Sequence, residues 1–188
     1  MSAGRRDGRT TDMRARILST ATELFASRGF SATSLQDLAD RLEVTKAALY
    51  YHFRRKSDLI AQVLAPMVDD IDAWFAKVEV EHPSPREALE SYFDVVHRHS
   101  GLLAAISRDP SALEAGDTIA HVARWGERVQ TVFAGPDASF EQRVRTALAI
   151  IGLARTASLF PDAPVNELRT IAVDAALGAL QPDDPGGA

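Results

Sequence analysis

The residues best suited to specific chemistry sit in one run, TSLQDLADRLEVTKAALYYHF, at positions 33–53. Ser34, with Asp37 three residues later, makes a capping-box-like helix start, and Leu35, Leu38, Ala39 and Leu42 follow at helical spacing. The apolar pattern restarts at Val44, Ala48, Leu49 and Phe53, after a break that admits only a tight turn between crossed helices. Two short helices joined this way form a helix-turn-helix. The second helix of such a motif sets its N-terminal residues against base edges while neighbouring donors clamp phosphates. Lys46, at that N-terminus, is therefore the best base reader, and Ser34 could serve both as a cap and as a phosphate donor. Leu49 and Phe53 are expected in the core, whereas Tyr50 and His52 have two readings, a groove contact or packing under the helix.

A helix that reads DNA has to be braced, and the flanking sequence supplies the brace. Residues 12–28 carry Ile17, Ala21, Leu24 and Phe25 on one face, with Gly29 where a left-handed C-terminal cap belongs. Residues 12–56 thus read as a three-helix domain, preceded by a flexible basic arm at 1–11. Arg5, Arg6 and Arg9 of that arm either enter a minor groove or are simply solvated. Charge is distributed accordingly: residues 1–56 hold eleven Lys+Arg against six Asp+Glu, a net +5, and residues 57–188 hold ten against twenty, a net −10. The acidic remainder should face away from a polyanion.

The rest of the 188-residue chain reads as all-α, about nine helices in all, with few β-branched runs and no hairpin signals. Ser57 and Asp58 look like a new N-cap, followed by a long stripe of Ile60, Val63, Leu64, Met67, Ile71, Trp74, Phe75 and Val78. Pro66 lies inside that stripe and should bend the helix or break it. Past Pro83 and Pro85, Ala88, Leu89, Tyr92, Phe93 and Val96 mark another helix, followed by a short piece that ends at Asp109 and Pro110. A helix over 117–133 should bury Ile119, Val122, Gly126, Val129 and Phe133. The last two helices, 140–159 and 165–180, are crowded with alanine, which reflects either helix propensity or an interface between copies. Residues 57–181 form the second domain, and 182–188 a disordered Pro/Gly tail. The absence of cysteine excludes disulfides and thiolate zinc sites. The longest uncharged apolar run, 147–154, is far short of the roughly 20 residues a membrane span needs, so no membrane partner and a cytoplasmic location are expected.

The basic arm, the helix ending LFASRGF and the run TSLQDLADRLEVTKAALYYHFRRKSDLI together resemble the TetR family of transcriptional regulators, with residues 14–60 carrying the match. The resemblance implies a homodimer through the last two helices, a palindromic double-stranded DNA operator and an unknown small-molecule effector held in the middle helices. It further implies a repressor that leaves its operator when the effector binds. Mapped onto the family pattern, Gln36 reaches a base, Ala47 and Ala48 offer small apolar contacts, and Thr45, Tyr50, Tyr51 and Lys56 match positions that contact phosphates or groove edges; His52 is included with them. One departure is Glu43, which stands where the family usually has glycine at the turn.

For an effector, Trp74, Phe93, His97 and Trp125 are candidates, since pockets are apolar with a few polar groups. Two other readings remain. A regulator controlled by a protein partner, with no small-molecule effector, would keep the same DNA-binding head but fill the centre of the second domain. An enzyme would have to rest on Asp94 with His97, or on Asp69, Asp70 and Asp72, yet no nucleophile or phosphate loop accompanies them. No catalytic residue, metal or cofactor is expected.

Overall fold

The structure is a computed structural model; it describes residues 4–115 and 118–181, with side chains from Asp12 onward except at 116–119. Among the described residues the fold is all-α. In chain order the helices are α1 (Gly4–Arg28), α2 (Leu35–Leu42), α3 (Lys46–His52), α4 (Lys56–Glu81), α5 (Pro85–Arg98) and α6 (Ser100–Arg108). After a 3-10 turn at Pro110–Glu114 come α7 (Thr118–Ala134), α8 (Phe140–Leu159) and α9 (Val165–Leu180). The chain forms two compact units, one of Met1–Pro66 with Ala104–Ile119, the other of Met67–Leu103 with Ala120–Ala188.

This division differs from a boundary at residue 57. Leu59, Ile60, Val63 and Leu64, in the first turns of α4, are buried and so belong with the first unit's core. Helix α1 also begins earlier than residue 12, because the 4–11 backbone, expected to be a flexible arm, is helical. That stretch contains no proline, and its arginines are good helix formers. Positions 1–3 of the arm and the 182–188 tail lie outside the described residues.

In the first unit, Ile17, Ala21, Leu24 and Phe25 of α1 are buried as their spacing requires, and Phe25 meets Phe30 with ring centroids 4.9 Å apart. Gly29 ends α1 in the left-handed region at φ +92°, its N–H donating to Phe25 O at 2.9 Å. Buried Thr33 fixes the following loop by donating from Oγ1 to Gly29 O at 2.9 Å. Ser34 then caps α2 in a complete capping box: the Ser34 N–H donates to Asp37 Oδ2 at 2.7 Å, and the Asp37 N–H donates to Ser34 Oγ at 3.1 Å. Leu35, Leu38, Ala39 and Leu42 are all buried.

The turn after α2 is made by Glu43, which adopts φ 57°, ψ 40°. Its neighbour Val44 donates to Ala39 O at 3.0 Å, closing the helix end. A β-carbon in this conformation costs roughly 1–2 kcal/mol, which glycine would avoid. Thr45 restarts the helix, its Oγ1 accepting from the Ala48 N–H at 3.2 Å. In and around α3, Leu49 and Phe53 are buried, but Ala48 is exposed and Val44 only half-buried, so the apolar pattern overcounted the inward positions by two.

Helix α4 starts at Lys56 rather than at a Ser57 cap, and Asp58 Oδ2 accepts from the Arg55 N–H at 3.1 Å. Asp58 therefore takes the part of the third helical residue in a capping box. Every residue of the α4 stripe from Ile60 to Val78 is buried, and the helix continues through Pro66 without a break. In the second unit, α8 and α9 pack on each other and both pack on α5, with Arg86 paired to Asp174 at 2.7 Å and Arg169 to Asp94 at 3.0 Å. The expected inward face of α7 is only partly right: Val129 is buried and Phe133 half-buried, whereas Val122 and Gly126 are exposed. The side chain of Ile119 lies outside the described residues. The helix instead turns Trp125 and Arg128 inward, where they meet α4 carboxylates: Trp125 Nε1 donates to Asp72 at 2.8 Å and Arg128 pairs with Glu79 at 2.8 Å.

Two expectations follow. Glu43→Gly should stabilise the protein by about 1 kcal/mol, raising Tm by roughly 2–4 °C in a thermal melt; an unchanged or lower Tm would count against strain at this turn. Hydrogen bonds from the Ser34 hydroxyl and then the Ser34 N–H hold the Asp37 carboxyl below its ordinary value of 3.8. A lowered folded-state value means that the stabilisation is fully present above pH 3.8 and fades as the pH falls through the folded value. The urea midpoint of Asp37→Asn should therefore lie below the wild type at neutral pH and converge with it as the pH drops into that range.

Candidate nucleic-acid interface

Helix α3 is held from one side by Leu49 and Phe53, and this leaves its opposite face in solvent. Lys46, Ala47, Ala48, Tyr50 and Tyr51 are all exposed there. Tyr51 is 78% exposed and Tyr50 44%, so Tyr50 is a surface residue rather than one packed beneath the helix. Lys46 sits one turn before Tyr50, with Nζ 5.9 Å from the ring centroid, a loose cation–π contact that leaves the ammonium able to swing toward a ligand. His52 is half-buried and meets Tyr51 edge-on at 5.3 Å, so it supports Tyr51 more than it faces outward. Thr45 accepts a bond as N-cap, which leaves its hydroxyl hydrogen for use as a donor.

The donors assigned to α2 and α4 are more committed. Ser34 is exposed, but its hydroxyl hydrogen donates to Asp37 Oδ2, so it can meet a phosphate only by giving up that bond. Gln36 is exposed with Nε2 donating one hydrogen to Asp40 Oδ1 at 2.6 Å, which leaves its second N–H and Oε1 for a base edge. Lys56 is half-buried, with Nζ donating to Ser31 O at 3.4 Å. Burial pulls its ammonium below the ordinary lysine value, while Asp109 and Asp37 oppose that shift. Arg54 and Arg55, exposed between α3 and α4, were not singled out by the motif pattern. Their signal was only the basic run RRK at its end.

The four effector candidates do not converge on one cavity. Trp74 and Phe93 are buried; Trp74 Nε1 donates to Ser91 Oγ at 3.0 Å, and its ring meets Tyr92 at 4.9 Å and stacks on Phe133 at 6.4 Å. Phe93 stacks instead on His97 at 5.5 Å with planes 8° apart. His97 Nδ1 is buried with no hydrogen-bond partner among the described residues. Half-buried Trp125 is tied to Asp72, outside both groups. The second unit does hold a cleft of about 400 Å³, lined in part by Val78, Glu79, His82, Pro85, Ala88 and Phe133, where the end of α4 meets the start of α5 and the end of α7. Local patterns hardly signal it, because His82 lines it from a left-handed backbone at φ 49°. Asp94 and His97, the pair an enzyme would need, are separately engaged, Asp94 by Arg169 and His97 by Phe93. No helix among the described residues is long and apolar enough to cross a membrane.

The profile of the family described as "Bacterial regulatory proteins, tetR family" matches residues 17–63. The transcriptional repressor KstR2 of Mycolicibacterium smegmatis is 30% identical over 89 residues, 45% of this chain and 43% of that protein. The chain thus matches less than half the length of the first curated relatives. The solved structure of the ketosteroid transcriptional regulator KstR2 of Mycobacterium tuberculosis shares the fold at a TM-score of 0.70 and 17% identity, over 91% of this chain and 96% of that one. The TetR-family regulator PfmR of Thermus thermophilus superposes at a TM-score of 0.65 with 27% identity, over 89% of this chain and all of that one. The profile falls on the three helices that present Lys46, so residues 17–63 match the tetR family of bacterial regulatory proteins, and beyond them the chain shares the fold of these regulators.

Proposed function

We propose that this protein is a cytoplasmic transcriptional regulator, a homodimeric repressor that binds a palindromic operator and leaves it when a small-molecule effector binds. The observation that carries this reading is the solvent face of α3, where Lys46, Ala47, Tyr50 and Tyr51 stand out over a core of Leu49 and Phe53. Lys46 reads a guanine edge, Ala47 meets a thymine methyl, and Thr45, Tyr50, Tyr51 and Lys56 contact phosphates, helped by Ser34, Gln36 and His52. Exposed Arg54 and Arg55 add phosphate contacts. With one lysine as the principal base donor, direct readout is thin, and DNA shape and half-site spacing supply much of the specificity.

Dimerisation is supported by exposed apolar side chains on the last two helices: Leu148, Ile151 and Leu159 of α8 and Ile171 of α9 are each more than half exposed. Exposed Gly152 and Ala175 beside them permit close helix approach. The effector reading is supported by the 400 Å³ cleft of the second unit, which is within the usual scale of ligand sites. In the mechanism we favour, an effector displaces α4 and so alters the separation of two reading heads whose half-sites lie about 34 Å apart. A second reading, control by a protein partner with no small-molecule effector, is favoured by buried Trp74 and Phe93 filling the centre where a ligand cavity would otherwise lie.

Fluorescence anisotropy with DNA from upstream of the protein's own gene should show saturable, salt-sensitive binding that exceeds binding to scrambled DNA. Lys46→Ala should lose about 1–3 kcal/mol of that specific binding while retaining the weak, nonspecific component. Equal binding of both DNAs by the wild type and the variant would reject this operator and this reader together. In sedimentation velocity the wild type should run at twice the chain mass, and Ile151→Arg should run as a monomer; a wild-type monomer at micromolar concentration would remove the dimer from the proposal.

A further inference from the structure

The segment Ala104–Ile119 lies about fifty residues past the reading helices in sequence, yet it packs into the same compact unit. Its contact with the head is a cluster of directed polar bonds. Asp109 Oδ2 accepts from the Ser31 N–H at 2.5 Å, and Asp109 Oδ1 accepts from Ser111 Oγ at 2.6 Å and from the Ser111 N–H at 3.3 Å. The Ser31 and Ser111 hydroxyls lie 3.1 Å apart, and Arg108 Nη2 donates to Ala26 O at 2.8 Å. On the other side of Ser31, its carbonyl accepts from Lys56 Nζ at 3.4 Å.

Asp109 therefore ties the Gly29–Ser34 loop at Ser31. That loop begins at left-handed Gly29, where an added β-carbon would stand 3.9 Å from Asp109 Oδ2, and it ends at Ser34, the N-cap that starts α2. Since α2 carries α3 through a connection of only three residues, 43–45, the angle of the reading helix depends on where this loop is held. We propose that Asp109 is a positioning residue for DNA binding: it touches no DNA, but its carboxylate fixes the loop from which the helix-turn-helix departs. The proposal rests on the DNA-binding reading above.

Electrostatics and positioning predict opposite signs, and this makes the proposal testable. Deleting a carboxylate from a DNA-binding unit should by charge alone tighten binding to a polyanion. Loss of a positioning contact should weaken specific binding, by about tenfold on the scale of such indirect couplings, with no change in salt dependence because no phosphate contact is lost. The experiment compares the full-length wild type with Asp109→Ala, Asp109→Asn and Ser111→Ala, by anisotropy over a salt series and by amide hydrogen exchange without DNA. The expected result is weaker specific binding in Asp109→Ala at an unchanged salt slope, recovery of most of it in Asp109→Asn, which keeps an acceptor for the Ser31 N–H, and faster exchange at positions 30–38 in Asp109→Ala. Folded Asp109→Ala protein with equal or tighter DNA binding, or with unchanged exchange in that loop, would overturn the proposal. If Asp109→Ala does not fold, Ser111→Ala decides in the same way, because it removes one of the bonds that orient the carboxylate. If the wild type binds no DNA, the regulator reading fails by itself, and the exchange comparison still judges whether Asp109 fixes the loop.

Discussion

A seven-residue helix is too short to persist alone, and α3 is such a helix. Its stability comes from outside its own backbone: Leu49 and Phe53 fix one face to the core, Thr45 caps the start, and the Phe53 N–H closes the end on Leu49 O at 2.9 Å. These anchors decide which face is left for a ligand. Because the inward positions are taken by Leu49 and Phe53, Lys46, Tyr50 and Tyr51 have only solvent to face. The left-handed Glu43 turn sets the path between α2 and α3, and here a glutamate occupies a conformation that glycine holds at lower cost.

The second unit solves a different problem, because its helices are long and their interior must still satisfy several polar groups. Trp74 and Trp125 each find an acceptor for the indole N–H, in Ser91 and Asp72. Arg128 lies over the Phe75 ring at 4.3 Å while its guanidinium pairs with Glu79, so it serves as apolar cover and as counter-ion at once. The hydrogen bond from Arg128 in turn holds the Glu79 carboxyl below its ordinary value. Tyr92, beside Trp74, has its phenol pushed up to about 12 by burial and stays neutral at any physiological pH. His97 and Gln130 are exceptions, since the buried His97 Nδ1 and Gln130 Oε1 have no hydrogen-bond partner among the described residues. These pairings link α4 to α5 and α7 by direction as well as by apolar contact.

Much of this was legible in one dimension. Helix periods, the serine cap at Ser34, left-handed Gly29 and the buried stripe of α4 all depend on residues close in sequence, and local rules specify them. The α7 face was misjudged because an apolar count treats Val122 as inward, whereas Trp125 and Arg128 are drawn in by carboxylates of α4 about fifty residues away in sequence. The onset of α1 was missed because arginine-rich sequence without apolar periodicity is equally compatible with a solvated arm and with a helix.

The sequence by itself determined the all-α class, the helix-turn-helix and the anchoring of α3 through Leu49 and Phe53, since cap chemistry and hydrophobic spacing act between residues a few positions apart. Only the tertiary structure decided that the aromatic effector candidates separate into different clusters and that the corner at Asp109 grips the loop at Ser31. Each of those outcomes depends on which partner a polar or aromatic group meets first when segments pack, and no local pattern in the chain encodes that choice.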